Sequence, residues 1–278
     1  MVRVTLRWTM IALAVALLGP IAAWLCRPIR GLDGGPVSTM LVGTAVAPAI
    51  VRTLLVFALA LLFGAGVSKI LGWRLGSFVA GVTLAWPAIE HSGVSQLVRI
   101  AGETPIMTKL AIEGGVLLAM VLGIAWILHR LDPGIDKLPD AVRGVVPGAG
   151  GVIAGAMAAG TLAMFVVLLV AIGDQRMQIF AAAIVGALLA GTVARFIGPG
   201  PGPVTAMLGL VLAAIAAPLL TGLMAGDDLV ESAYLGSMLN LGRLTPMMWA
   251  SGALIGVPIG SSWAESMLER QPQSTATA

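Results

Sequence analysis

Long apolar runs broken by short polar segments extend from one end of the chain to the other. A charge at the centre of a bilayer costs at least ~2.5–3.5 kcal/mol, so charge-free runs mark predicted membrane-crossing helices. They fall at residues 8–26, 53–68, 75–89 and 114–128, within 144–173, and at 177–194, 203–224 and 244–264. The pattern predicts an all-α, polytopic transmembrane helix bundle of about eight spans. Residues 198–203 (GPGPGP) cannot continue a helix, because proline lacks the N–H donor, and read as a tight connection. Residues 34–51 are also charge-free, but they open with Gly-Gly-Pro and are interrupted by Pro48. They are expected to form a loop with an interfacial or re-entrant segment rather than a ninth span.

The most polar stretch, 129–144 (HRLDPGIDKLPDAVRG), lies near the middle and divides the chain. The expected organisation is a first four-helix half at 1–130, a polar connection at 131–144, a second four-helix half at 145–270 and a tail at 271–278. Arg3 and Arg7 ahead of an apolar run resemble the start of a signal peptide. The run nevertheless continues to Cys26, 19 uncharged residues in all, so a retained first helix is expected.

Composition narrows the class further. Hydrophobic residues make up 58% of the chain and charged residues 10%, against about 25% charged in a soluble domain. So few charges could not cover a water-facing surface, and so much apolar residue excludes intrinsic disorder. The net charge of +3 includes no Lys/Arg run, so nothing points to nucleic acid or to a polybasic lipid-binding tail. The lone cysteine, Cys26, has no internal disulfide partner and belongs to no metal motif; it is expected to be a small buried residue. Six of the seven tryptophans (Trp8, Trp24, Trp73, Trp126, Trp249, Trp263) fall near predicted span ends, as an interfacial belt would. Basic residues divide nine to seven in favour of the side holding the termini. Both termini are therefore expected to be cytoplasmic, in the inner membrane if the protein is bacterial.

Four matches run in the same order through both halves. Residues 52–66 resemble 176–191, and 79–89 (VAGVTLAWPAI) align with 210–220 (LVLAAIAAPLL), setting Pro87 on Pro218. Thr104-Pro105-Ile106-Met107 aligns with Thr245-Pro246-Met247-Met248, and the first and fifth spans correspond by position. Threonine caps free N–H groups and proline fits the first helical turn, which is why Thr-Pro suits a helix start. Four helices per half predict a 4+4 parallel repeat about an axis along the membrane normal. Between the third and fourth helix of each half lies a partly amphipathic stretch, 91–103 and 227–243, both expected on the outer face.

Small residues at four-residue spacing let helix backbones approach closely in lipid. Gly252-Gly256-Gly260-Ala264 is the clearest series and is expected to form a helix–helix seam, within the chain or between subunits. Gly115-Ala119-Gly123, Ala182-Gly186-Ala190, Gly209-Ala213-Ala217 and Gly151-Gly155-Ala159 repeat the pattern.

Fifteen uncharged residues reach only ~22 Å, short of the ~30 Å hydrocarbon core. The third and fourth spans must therefore extend, drawing Glu90, His91, Lys109 and Glu113 toward one face. These four are the candidate pathway or ion- and proton-coupling residues, since ionisable groups at membrane depth default to a functional reading. The blander alternative is that Lys109 and Glu113, at i,i+4, form a self-satisfied interfacial pair. Their aligned positions, Thr221, Gly222, Ala250 and Leu254, carry no charge. No metalloprotease, serine-hydrolase, phosphate-loop or Cys/His motif is present, so no catalytic residue, metal or cofactor is expected.

The sequence thus points to a non-enzymatic, small-solute or ion permease with its pathway between two helical halves. Its expected partners are the lipid bilayer, an unknown solute or ion, and a second copy or a partner membrane subunit. A non-catalytic subunit anchoring a partner complex is one alternative. An intramembrane lipid-modifying enzyme using His91 with Glu90 and Glu113 is the other.

Overall fold

The structure, a computed structural model, describes residues 2–32, 34–90, 93–101, 105–133, 149–197 and 202–269. No strand occurs among them; the only β feature is a bridge between Arg30 and Pro36. Helix α1 (Val2–Leu13) runs through a π-helical turn (Ala14–Leu18) into α2 (Gly19–Cys26). There follow α3 (Val46–Leu71), α4 (Trp73–Glu90), the short α5 (Val94–Ala101) and α6 (Ile106–Arg130). The second half comprises α7 (Ala149–Val170), α8 (Arg176–Ile197), α9 (Gly202–Ala225), the short α10 (Leu229–Leu235) and α11 (Pro246–Glu269). The helices are longer than the charge-free runs because they take in end charges such as Arg52, Lys69, Lys109 and Arg130, of which Lys69 and Arg130 are exposed and the other two half-buried. Arg52, in the second turn of α3, donates through Nη1 to the Leu25 carbonyl at 3.1 Å and so satisfies an end-of-helix acceptor of α2.

Among the described residues, six segments are long and apolar enough to cross a membrane: Val4–Cys26, Val46–Leu71, Ile106–Arg130, Ala149–Val170, Arg176–Ile197 and Pro203–Leu235. Eight were expected. The two long helices outside this set are α4 and α11, and burial explains their composition. In α4 an unbroken run from Val79 to Ala85 is buried, and in α11 every residue from Pro246 to Pro258 is buried. A helix that faces protein on all sides can carry Gly, Ser and Thr where a lipid-facing helix needs Leu, Ile and Phe. The pair is joined by two side-chain bonds: Ser77 Oγ donates to the Leu254 carbonyl at 2.8 Å, and Ser251 Oγ to the Gly81 carbonyl at 2.9 Å. Each carbonyl also belongs to a helical ladder, so Ser251→Ala should cost only about 0.6–1 kcal/mol in a denaturation series.

Helix α11 is the hub of the bundle, packing on α4, α6, α8 and α9. Its glycines face α8 within the same chain. A Cβ at Gly252 would lie 2.9 Å from the Ala183 carbonyl oxygen, and one at Gly256 2.5 Å from that of Ile184. A Cβ at Gly260 would meet the Leu188 carbonyl. The α6 stripe departs from its sequence pattern: Ala119 and Gly123 face outward, Gly115 meets only the Ile215 side chain of α9, and the backbone contact with α9 is made by Gly114, at Ala214. Thr245 caps α11, its Oγ1 accepting from the Met248 N–H at 3.2 Å.

The tryptophans also divide. Trp8, Trp24, Trp126 and Trp263 are exposed as a belt requires, but Trp73 and Trp249 are buried. Trp73 sits edge-on to the His129 ring, with centroids 5.6 Å apart. Trp86, outside the expected belt, lays its indole against Gly19, in the space a side chain there would fill, just after the π-helical turn. Cys26 is a buried free thiol.

One end of the bundle, here the cap end, carries residues 27–32 and 34–45, α5 and α10. At the opposite end, Glu265 pairs with Arg74 and, at 3.7 Å, with Arg195. Residues 34–45 form no helix, whereas 46–51, expected in the same loop, are the first turns of α3. The expected central connection lies mostly outside the described residues, as does the tail at 271–278.

Candidate functional site

Glu113 lies two turns into α6 and is 0% exposed. Its Oε2 accepts from the backbone N–H of Met40 at 2.9 Å and of Leu41 at 3.0 Å. Its Oε1 has no hydrogen-bond partner. The donors belong to a non-helical stretch in which Val37, Ser38, Thr39, Met40 and Val42 are all buried. Irregular backbone at membrane depth is tolerated only where protein satisfies its polar groups. Here Val37 N–H donates to the Ile29 carbonyl at 3.1 Å, Thr39 Oγ1 to the Val42 carbonyl at 3.1 Å, and the next two amides find Glu113. A carboxylate is acceptor-only when ionised, so Glu113 holds the segment with one oxygen and leaves the other open.

The four residues expected to gather do not do so as a group. Glu90 is exposed at the end of α4, and what the structure uses there is its backbone carbonyl, which accepts from Arg176 Nη1 at 3.0 Å. His91 lies outside the described residues. Lys109 is half-buried and makes no ion pair with Glu113, although the i,i+4 spacing sets both on one side of α6. Two backbone amides fixed in place occupy Oε2, and an ammonium would have to shed water and side-chain freedom to reach Oε1. Among the described residues no group of three or more His, Cys, Asp and Glu could hold a metal ion.

Sequence reasoning missed a second polar centre at the cap end. Gly173, at φ +87°, turns the chain between α7 and α8, a conformation suited to glycine, and places Asp174 at the turn. Asp174 Oδ1 accepts from Arg243 Nη1 at 2.7 Å and Ser95 Oγ at 2.9 Å, while Oδ2 accepts from Arg99 Nη2 at 3.2 Å. Arg243 is 3% exposed and also donates to the Gly236 and Met238 carbonyls. Arg99 donates to the Ala233 carbonyl and lies over the Tyr234 ring at 5.7 Å. One aspartate thereby ties α5, α10, the turn before α8 and the segment leading into α11. Only the spacing of Arg99, Asp174 and Arg243 in three separate loops was visible in the sequence, and nothing in it marks them as neighbours.

A cleft of about 240 Å³ opens beside the seam between the halves, lined by Met107, Thr108, Leu219, Gly222 and Leu223 among others. Comparison of the chain with protein-family models, curated proteins and solved structures gives no match.

Proposed function

We propose that the protein is an ion or small-solute permease in which Glu113 is the ion- or proton-binding carboxylate. The observation that carries this reading is the half-satisfied carboxylate itself, buried in a membrane helix and clasped by a buried non-helical segment. Burying a polar oxygen without a partner is costly, and an intramembrane ionisable group that persists at that cost has a use. Non-helical backbone beside such a group is also the setting in which transporters bind ions. In this reading α4 and α11, ~27 and ~36 Å long at 1.5 Å per residue, cross the membrane with the six apolar segments.

The pathway lies where the halves meet. Helix α4 packs on α11, α6 on α9, and α6 on α11, a set of contacts that exchanging the halves maps onto itself. The alignment of Val79 with Leu210 and Thr104 with Thr245 carries Gly81 to Leu212 and Ile255 to Gly114. A side chain at Gly81 would meet Ile255, and one at Gly114 would meet Ala214, two residues from the transposed position. This near-symmetry supports a 4+4 duplication. Glu113 adjoins the Gly114–Ala214 contact, so rocking of one half on the other would change its surroundings.

The test is flux in vesicles reconstituted with the full chain, using a trapped pH dye for protons and radioactive sodium for cations. Glu113→Gln, which keeps shape and removes charge, is expected to reduce flux at least tenfold. Flux equal in wild type, variant and protein-free vesicles would sink the proposal. A second reading, a subunit that anchors a partner, draws on α1, in which none of residues 4–13 is buried. It predicts that removing those residues detaches a stably co-purifying partner while Glu113→Gln does not.

A further inference from the structure

Two other buried side-chain oxygens have no hydrogen-bond partner near the level of Glu113: Ser38 Oγ and Thr53 Oγ1. Their exposures are 1% and 0%. Ser38 lies two residues before Met40, whose amide binds Glu113. Thr53 is placed by helix register. Helices α3 and α6 run in the same direction and meet toward the opposite end, where Ser68 Oγ donates to the Leu128 carbonyl at 2.6 Å. Buried stripes lead back from that contact, through Gly64, Ala60 and Phe57 to Thr53 on α3, and through Ile124, Val121 and Leu117 to Glu113 on α6. Thr53 precedes Ser68 by the same number of residues as Glu113 precedes Leu128, a rise of ~22 Å on each helix. The threonine and the glutamate therefore stand at one depth on the buried faces of α3 and α6; the α3 stripe packs on α4 at Gly76 and Ala80 as well as on α6 at Leu128, and the buried segment carrying Ser38 is bonded to the glutamate.

We infer that Glu113 Oε1, Thr53 Oγ1 and Ser38 Oγ form a binding site for a small hard monovalent cation of the sodium class. Oxygen-only donor sets suit hard cations, and irregular backbone supplies further carbonyls in such sites. The charge balance is that of a single carboxylate. The neighbouring cations do not supply the balance, since Lys109 makes no ion pair with Glu113 and Arg52 is turned to the Leu25 carbonyl. A proton on Oε1 would remove the charge yet leave both hydroxyl oxygens without a ligand, and a water would serve the hydroxyls yet leave the charge. A cation answers all three atoms. Thr53 and Ser38 thereby become ligand residues, and the buried segment becomes the lid of the site.

The inference rests on reading Glu113 as the ion-binding carboxylate, and equilibrium binding separates it from transport. The detergent-purified full chain is unfolded thermally in sodium chloride and in choline chloride at equal ionic strength, and radioactive sodium binding is measured by dialysis. Sodium at tenfold its dissociation constant should raise Tm by about 3–5 °C over choline. Thr53→Val, Ser38→Ala and Glu113→Gln should abolish the shift and the bound sodium, whereas Thr53→Ser should keep both. Equal Tm values in the two salts together with no bound sodium, or a sodium shift that survives Thr53→Val, overturns the site. If a variant is poorly folded by size exclusion, the wild-type dialysis and Thr53→Ser decide. Sodium binding without vesicle flux would refute the permease reading and leave the site standing; flux without sodium binding would do the reverse.

Discussion

Gly256→Leu is expected to destabilise the folded bundle severely, with a large fall in Tm and partial loss of the monodisperse species. A Cβ at this position would stand 2.5 Å from the Ile184 carbonyl oxygen and 2.7 Å from the Leu188 nitrogen, so the obstacle is helix backbone and not a movable side chain. Making room requires moving α11 off α8. The neighbouring glycines, Gly252 and Gly260, meet α8 in the same way, so displacement at one step strains the whole seam. Because α11 also packs on α4, α6 and α9, the shift is resisted on every side. Overpacking a well-filled interior costs about 1–3 kcal/mol where side chains can adjust, and this backbone seam should stand at or above the top of that range. Gly123→Leu on α6 is the matched control: nothing lies within 4 Å of a Cβ there. Thermal unfolding of both variants checks the pair, and equal Tm losses would show that the α8–α11 contact is not what limits stability.

Asp174→Ala should release the cap. The substitution leaves Arg243, only 3% exposed, without its carboxylate partner, and also unpairs Ser95 and Arg99. Removing one member of a buried pair costs about 3–5 kcal/mol. The Asp174 side chain is itself 42% exposed, so water screens part of the loss and about 2–3 kcal/mol is the expected penalty. The two arginines should couple to Asp174 unequally in double-mutant cycles. Arg243, shorter in contact and nearly enclosed, should couple the more strongly, and Arg99, 32% exposed at 3.2 Å, the more weakly. Protease should then cut first between residues 226 and 245, the stretch whose carbonyls the two arginines hold. Equal coupling of the two arginines, or cleavage elsewhere first, would contradict this ordering.

Particular residues show why some features are legible in the sequence. The helix starts at Gly202 and Pro246 sit beside Gly-Pro or Thr-Pro signals, because those residues act on their own backbone and need no neighbour, whereas Pro48, which reads as interrupting a loop, lies in the first turn of α3. Glu113 stands out because the predicted span at 114–128 is too short without it, and an acidic residue drawn into a span is costly wherever the helix packs. Its partners cannot be read, because the amides of Met40 and Leu41 lie 73 and 72 residues away and every residue type has an amide. Trp249, near a span end, reads as an interfacial anchor, yet α11 is enclosed by protein at that level. Ser38 and Thr53 carry no signal at all, since a hydroxyl becomes informative only once burial has removed its water.

By itself the sequence determined that this chain is helical and built for a bilayer: long apolar runs interrupted by sparse charges permit little else, since every backbone group in lipid must be satisfied within its own helix. It also determined where close packing could occur, because only glycine and alanine let backbones touch. Tertiary structure alone decided which helices are shielded from lipid, which glycine stripe is a seam and which faces outward, and what clasps the buried glutamate. The reason is that hydropathy and helix propensity are properties of a residue and its near neighbours along the chain. Burial and hydrogen-bond partnership are properties of pairs brought together across it, and the bundle fixes those only when all its helices are in place.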